Sequence, residues 1–218
     1  MLEDGLGYPV RGDWIGRIII GGVLGFFSFL ILPIFAIQGY LFKVMEGTID
    51  GEDTPPEFTD WGELLARGVG VTVVGVVYSL VPMLVYGFIA FSMLGVGGYV
   101  GGNAGGLLAG AGVLALLLFL PVLLFIYYVI PAAIANYAST GDLMAAFDFS
   151  TILDVVTTGE YLLAVLLPIV IGVLLVIAGF VLVLTFVGGL FLPFLEFYGQ
   201  VAIFRMFGSA FRSVENSV

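Results

Sequence analysis

The run IGRIIIGGVLGFFSFLILPIFAIQGYLF, residues 15–42, decides the fold. It holds one base, Arg17, and one amide, Gln38, and little else that water would solvate. A helix needs about 20 apolar residues to cross about 30 Å of hydrocarbon, so the run is long enough for one crossing. It is continuous rather than alternating, which argues against a barrel strand. It is also too long for the core of a signal peptide, and it follows an acidic start, Met1-Leu-Glu-Asp, so it is expected to stay in the mature protein.

The rest of the chain is written in the same way. Hydrophobic residues make up 61% and charged residues 10%, against about 25% charged in ordinary soluble domains. Further apolar runs predict spans over residues 69–94, 107–135, 161–184 and 188–207, giving about five crossings. A sixth arises if the third run breaks at Pro121 or Pro131. The expected fold is all-α, a single polytopic membrane bundle over residues 1–218, carrying two surface helices over residues 59–67 and 142–158.

Those surface helices come from the polar stretches between spans. Asp60-x-x-Glu63 has capping-box spacing. After it, Trp61, Leu64, Leu65 and Gly68 recur at helical intervals, with Asp60, Glu63 and Arg67 on the opposite face. In the second stretch Asp142 is placed to cap a helix. There Phe149, Ile152, Leu153 and Val156 form the apolar face, and Asp148, Thr151, Asp154 and Thr158 the polar one. Asp60-Trp61-x-x-Leu64-Leu65 matches Asp148-Phe149-x-x-Ile152-Leu153, which suggests a degenerate repeat of span, interfacial helix, span. Trp61 and Phe149 would sit at headgroup depth. Asp60, Trp61, Glu63, Asp148 and Phe149 are therefore the candidate docking residues.

Gly39-Tyr40-x-x-Lys43-Val44, then Pro56-x-Phe58-x-Asp60-Trp61-Gly62-Glu63-Leu64 and Gly68, resemble a family of uncharacterised archaeal and bacterial membrane proteins, domain-of-unknown-function family 4013. Phe197-Tyr198-Gly199-Gln200 followed by Arg205 is similar to that family's closing Tyr-Gly-Gln pattern, although the Tyr-Arg that usually follows is replaced here. The resemblance covers nearly the whole chain. It implies a multi-span membrane protein and no particular activity.

The chain has 16 acids and 6 bases, a net charge of −10, and Lys43 is its single lysine. That balance suits a halophilic archaeon, where concentrated salt screens repulsion within a few ångströms. It also excludes nucleic acid as a partner, since there is no basic patch. With no Cys and no His, thiol chemistry, His-based catalysis and the common zinc and haem ligand sets are missing. No span carries an acid pair for general acid–base work. We therefore expect no enzyme and no cofactor.

Glu196 is the one acid well inside a predicted span, and an intramembrane carboxylate is a functional candidate by default. Pro193, one turn before it, would free a backbone carbonyl, and Gln200, Gln38 and Asn136 could complete a polar site. The glycine run Gly95–Gly106 lacks the Lys-Ser/Thr ending of a phosphate loop and reads as a flexible turn. Gly102, Gly106 and Gly110 would then form a helix-packing seam, with Gly21-x-x-x-Gly25 as a matching surface.

With one span over 15–42, Arg11 and Arg17 fall on one side of the membrane. Lys43, Arg67, Arg205 and Arg212 fall on the other, which the positive-inside rule assigns to the cytoplasm together with the C-terminus. The expected function is structural or accessory, in the plasma membrane. Acidic surface helices would dock a membrane-protein partner or a second copy, or organise lipid. The alternative is a small-solute or lipid transporter with Glu196 in its path.

Overall fold

The computed structural model describes residues 1–185 and 187–215. They form α1 (Leu2–Gly7), α2 (Trp14–Phe26), α3 (Ile31–Asp50), α4 (Trp61–Val100), α5 (Gly102–Thr140), α6 (Phe149–Val156), α7 (Gly159–Leu184) and α8 (Leu192–Glu215). Short 3₁₀ turns cover Tyr8–Val10, Leu143–Phe147 and Val187–Phe191. No strand occurs among the described residues. The chain is an all-α helical bundle and divides into two compact units: Met1–Val73 with Pro131–Val218, and Val74–Ile130.

The first unit is built on α8. Along one side of α8, Gly21, Gly22 and Gly25 of α2 lie against Phe197, Phe194 and Pro193, leaving no room for a β-carbon at Gly21 or Gly22. Along another side, Tyr40 of α3 meets Phe197 with ring centroids 5.3 Å apart, and Gly208 lies against Met45 and Thr48. On a third, Gly199 lies against Leu175 of α7, while Tyr161 and Phe207 stand 6.3 Å apart. These pairings make α2 and α7 antiparallel to α8, and α3 parallel to it. The start of α4 crosses α3 backbone to backbone, because a β-carbon on Gly39 or Gly68 would overlap the carbonyl of Leu64 or Phe35.

The run 15–42 is therefore not one helix. It ends as α2 at Phe26, turns through Phe27–Leu30, and starts again as α3, folding back beside itself. Pro33 stands in the first turn of α3, where its missing N–H is unneeded, so it begins a helix instead of kinking one. Pro193 likewise stands in the first turn of α8 and frees no mid-helix carbonyl beside Glu196. Among the described residues four helical segments are long and apolar enough to cross a membrane, Trp61–Val100, Gly102–Thr140, Gly159–Leu184 and Val187–Glu215, and Trp14–Phe26 is a shorter apolar helix. Neither Pro121 nor Pro131 breaks α5.

The surface-helix expectation is also corrected. Residues 59–67 form no separate helix; from Trp61 onward they are the first turns of the 40-residue α4. The Glu63 carboxylate turns to Lys43 at 2.8 Å and Arg67 at 3.8 Å, not back to its own helix start. In the second stretch Asp142 caps only the 3₁₀ turn, accepting from the Met144 N–H, and Asp148 caps α6 through the Ser150 N–H. The span–surface helix–span repeat therefore loses its first surface helix.

The second unit, Val74–Ile130, contains no charged residue. It is a helical hairpin closed at Gly101 and Gly102, whose φ angles of +66° and +58° are open to glycine. Its two helices meet through small residues: a β-carbon on Gly97 would stand 2.7 Å from Ala109 N and Gly105 O, and one on Gly112 would stand 3.1 Å from Ala90 O. Tyr86 stacks on Phe119 at 5.3 Å. The expected seam of Gly102, Gly106 and Gly110 faces open space; the contact runs along Gly105, Ala109 and Gly112 instead. The flexible turn expected over 95–106 is mostly helix, since α4 persists to Val100.

Candidate functional site

The loop after α3 has neither helix nor sheet to satisfy its backbone, and a buried carbonyl needs a partner. Side chains supply five in succession. Arg205 donates to Glu52 O at 2.7 Å, Arg11 to Asp53 O at 3.2 Å and Tyr8 to Thr54 O at 3.1 Å. Arg17 donates to Pro55 O at 2.5 Å and Tyr40 to Pro56 O at 3.0 Å. Phe58 then stacks on Tyr40 at 4.1 Å, and Trp61 on Phe58 at 5.8 Å. The prolines and aromatics of this loop are the inner wall of a latch.

Arg205 is the hub. Its side chain is 9% exposed, lies over the Tyr8 ring at 4.5 Å and donates to Asp4 Oδ2 at 3.0 Å. Arg11 reaches the other Asp4 oxygen at 2.5 Å. Burial pushes the Asp4 carboxyl up, but hydrogen bonds from Arg11 and Arg205, and their charges, outweigh it and hold the group below its ordinary range. Burial raises the Tyr8 phenol, keeping it a donor. Arg17 is buried; its terminal nitrogens donate to Pro55 O and Arg11 O, and its Nε has no partner among the described residues.

A second knot ties α3, α4 and the end of α5 together. Arg67 pairs with Glu63, donates to Gly141 O at 2.9 Å and lies over the Phe42 and Tyr137 rings. Arg212 on α8 closes on Gly51, at the end of α3. All six bases thus gather at one end of the first unit, so Arg11 and Arg17 stand with the other four and not opposite them. The single-span reading of 15–42 had separated them.

The same end carries the acids. Every charged residue except Glu196 lies within residues 3–67, 142–160 or 205–215. Asp13, Asp50, Glu57, Asp60, Asp154 and Glu160 are exposed and form no ion pair among the described residues. Trp61 and Phe149 are 45% and 59% exposed, at the starts of α4 and α6. Hydrogen bonds from Ser150 and Thr151 lower the Asp148 carboxyl. Among the described residues no group of three or more His, Cys, Asp or Glu could hold a metal ion.

The polar cluster around Glu196 does not assemble as expected. Glu196 is exposed on α8 and accepts from Gln200 Nε2 at 3.3 Å, one turn on. Gln38 is half-buried on α3, and no hydrogen bond joins it to Glu196 among the described residues. Asn136 is buried elsewhere, donating to Ala145 O at 2.8 Å, which fastens the end of α5 to the 3₁₀ turn. In the sequence Arg205 carries part of the resemblance and Arg11, Arg17 and Arg205 bear on orientation, but nothing there assigns them or Tyr8 to a latch. One available signal was that bases are scarce and each therefore needs an assignment.

The long apolar helices, with charge gathered at one end of the first unit apart from Glu196, define a multi-pass membrane protein. The chain belongs to the family described as protein of unknown function DUF4013, whose model matches residues 26–207. It is similar to the uncharacterised protein MJ1189 of Methanocaldococcus jannaschii, with 29% identity over 174 residues. That match takes in 76% of this chain and 56% of the relative, so the chain spans about half the length of the curated relative it matches. No solved structure matches. The residues carrying the resemblance have structural places: Gly39 and Gly68 at the crossing of α3 and α4, Tyr40 and Phe58 in the latch, and Gly199 against α7.

Proposed function

We propose that this chain is a non-enzymatic accessory protein of the plasma membrane, whose charged end faces the cytoplasm and docks a partner through its acids. One observation carries the reading: every base is engaged within the first unit, while exposed carboxylates such as Asp13, Asp50, Glu57, Asp60, Asp154 and Glu160 form no ion pair among the described residues. A partner therefore meets an acidic, base-poor surface flanked by two exposed aromatics. The gathering of all six bases supports the cytoplasmic assignment. The acidic balance supports life in concentrated salt, where a Debye length of about 3 Å at 1 M limits the acids to contact pairing and hydration.

Photo-crosslinking in native membranes tests the docking. A crosslinker placed at Glu57 or Asp154 should capture a discrete protein, one at Leu190 should not, and Asp60→Asn with Glu160→Gln should weaken the capture. Equal or absent capture at all three positions rejects the proposal. Glu196 bonded to Gln200 on an open face of α8 favours a second reading, transport of a small solute. Loss of flux in Glu196→Gln liposomes would support it.

A further inference from the structure

We propose that α2 and α3 form a re-entrant hairpin, which inserts its tip among lipid acyl chains and returns to the side it came from. Its two outer ends are bonded to each other. Tyr8, Arg11 and Arg17 precede or begin α2, and they donate to the carbonyls of Thr54, Asp53 and Pro55, just beyond α3. A crossing between those points would separate them by about 30 Å of hydrocarbon. At 13 residues, α2 is only about 20 Å long.

The tip suits hydrocarbon. No charged residue lies between Arg17 and Lys43, and Phe29, Ile31 and Leu32 are 74%, 69% and 66% exposed. Backbone polar groups in lipid must be satisfied internally. Here Phe27 N–H bonds Val23 O, Ser28 N–H bonds Gly25 O, and Leu30 N–H bonds Phe27 O. Gly25 sits against Pro193, so the tip adjoins the first turn of α8, just after the 3₁₀ turn in which Leu190 and Phe191 are also exposed. The apolar surface of a spanning helix thus runs on into the tip.

Lipid fits this surface better than a second protein does. Helices associate in membranes through small residues, and Gly21, Gly22 and Gly25 already face α8. The outward side of α2 is left with Ile15, Ile19, Val23 and Phe26, all exposed.

The chain has no cysteine, so single-cysteine variants need no background removal. Asp13→Cys, Glu57→Cys, Leu190→Cys and Ser28→Cys would be probed in sealed, oriented vesicles with a membrane-impermeant maleimide. Asp13→Cys and Glu57→Cys should react from one side and Leu190→Cys from the other. Ser28→Cys should react from neither until detergent dissolves the bilayer. Reaction of Asp13→Cys and Glu57→Cys from opposite sides, or of Ser28→Cys in intact vesicles, overturns the hairpin. Phe29→Trp, with Trp14→Phe and Trp61→Phe, then tests the occupant: phosphatidylcholine brominated on its acyl chains should remove most of the indole emission. Unquenched emission would mean that protein, a second copy included, covers the tip, and the lipid assignment would fall.

Discussion

In the unit formed by Met1–Val73 with Pro131–Val218, close glycine contacts at Gly21, Gly22, Gly39 and Gly68 are joined by directional bonds: arginines on carbonyls, phenols on carbonyls, stacked aromatics. Val74–Ile130 has no charged residue to add such bonds, and its helices meet through the stack of Tyr86 on Phe119 and through Gly97, Gly105 and Gly112, which let backbones touch. The difference follows from where water can reach. A polar loop must satisfy its backbone, and it recruits Tyr8, Arg11, Arg17, Tyr40 and Arg205 to do so. A charge-free hairpin has only van der Waals contact to gain, and that grows as the helices approach.

Arg205→Ala should produce the largest loss. It removes the donor to Asp4 and to Glu52 O from a nearly buried site, at about 3 kcal/mol, and should appear as a lower unfolding temperature in detergent. Arg205→Lys keeps the charge but not the planar fork and should recover less than half. If Ala were neutral, the directional account of this unit would be broken.

The hairpin gives the next effect. Gly97→Ala pushes a β-carbon to 2.7 Å from Ala109 N and Gly105 O, which should cost about 1–3 kcal/mol. Gly106→Ala meets nothing and should stay within about 0.5 kcal/mol of the parent. Equal losses would restore the seam at Gly102, Gly106 and Gly110.

Acid should act on the first unit only, since the second has nothing to titrate in that range. The Asp4 pKa is lowered on folding, so its stabilisation is complete above the ordinary carboxylate value. That stabilisation is lost as pH falls through the lower folded value. Asp4→Asn should flatten this acid limb in thermal unfolding followed from pH 6 to pH 3. An unchanged limb would remove Asp4 from the latch. The effect is modest, because the Asp4 side chain is 39% exposed and screened.

Glu196 marks the smallest expected change. It is exposed, with one long bond to Gln200, so Glu196→Leu and Glu196→Gln should each shift stability by less than about 0.5 kcal/mol. A clear loss for Leu alone would give it the structural role that its exposure argues against.

Hydropathy was enough to read the all-α fold and the four long apolar segments, because lipid imposes composition directly. The turn at Phe27–Leu30 was hidden for the same reason. A reversal inside hydrocarbon is written in the same apolar letters as a crossing, and Pro33 reads as a kink until its place in a first turn is seen. The seam was legible in kind but not in phase, since Gly105, Gly106, Ala109, Gly110 and Gly112 offer several faces and the facing helix chooses one. At the charged end Trp61 and Phe149 could be named from their spacing. The latch could not, because its acceptors are backbone carbonyls, which every residue carries alike.

The latch also sets an order of events. Its hub, Arg205, is 201 residues from Asp4 and 153 from Glu52, and contacts so distant along the chain are the slow ones to form. A nascent chain emerges at about 5–20 residues per second, so the loop at 52–56 waits several seconds at least for its central donor. During that interval the latch bonds open to the loop are those from Tyr8, Arg11, Arg17 and Tyr40. Maturation is therefore gated by α8, the helix that carries Arg205, and a ribosome stalled before Arg205 would leave a membrane-inserted chain whose loop at 52–56 is still open to chaperones and proteases.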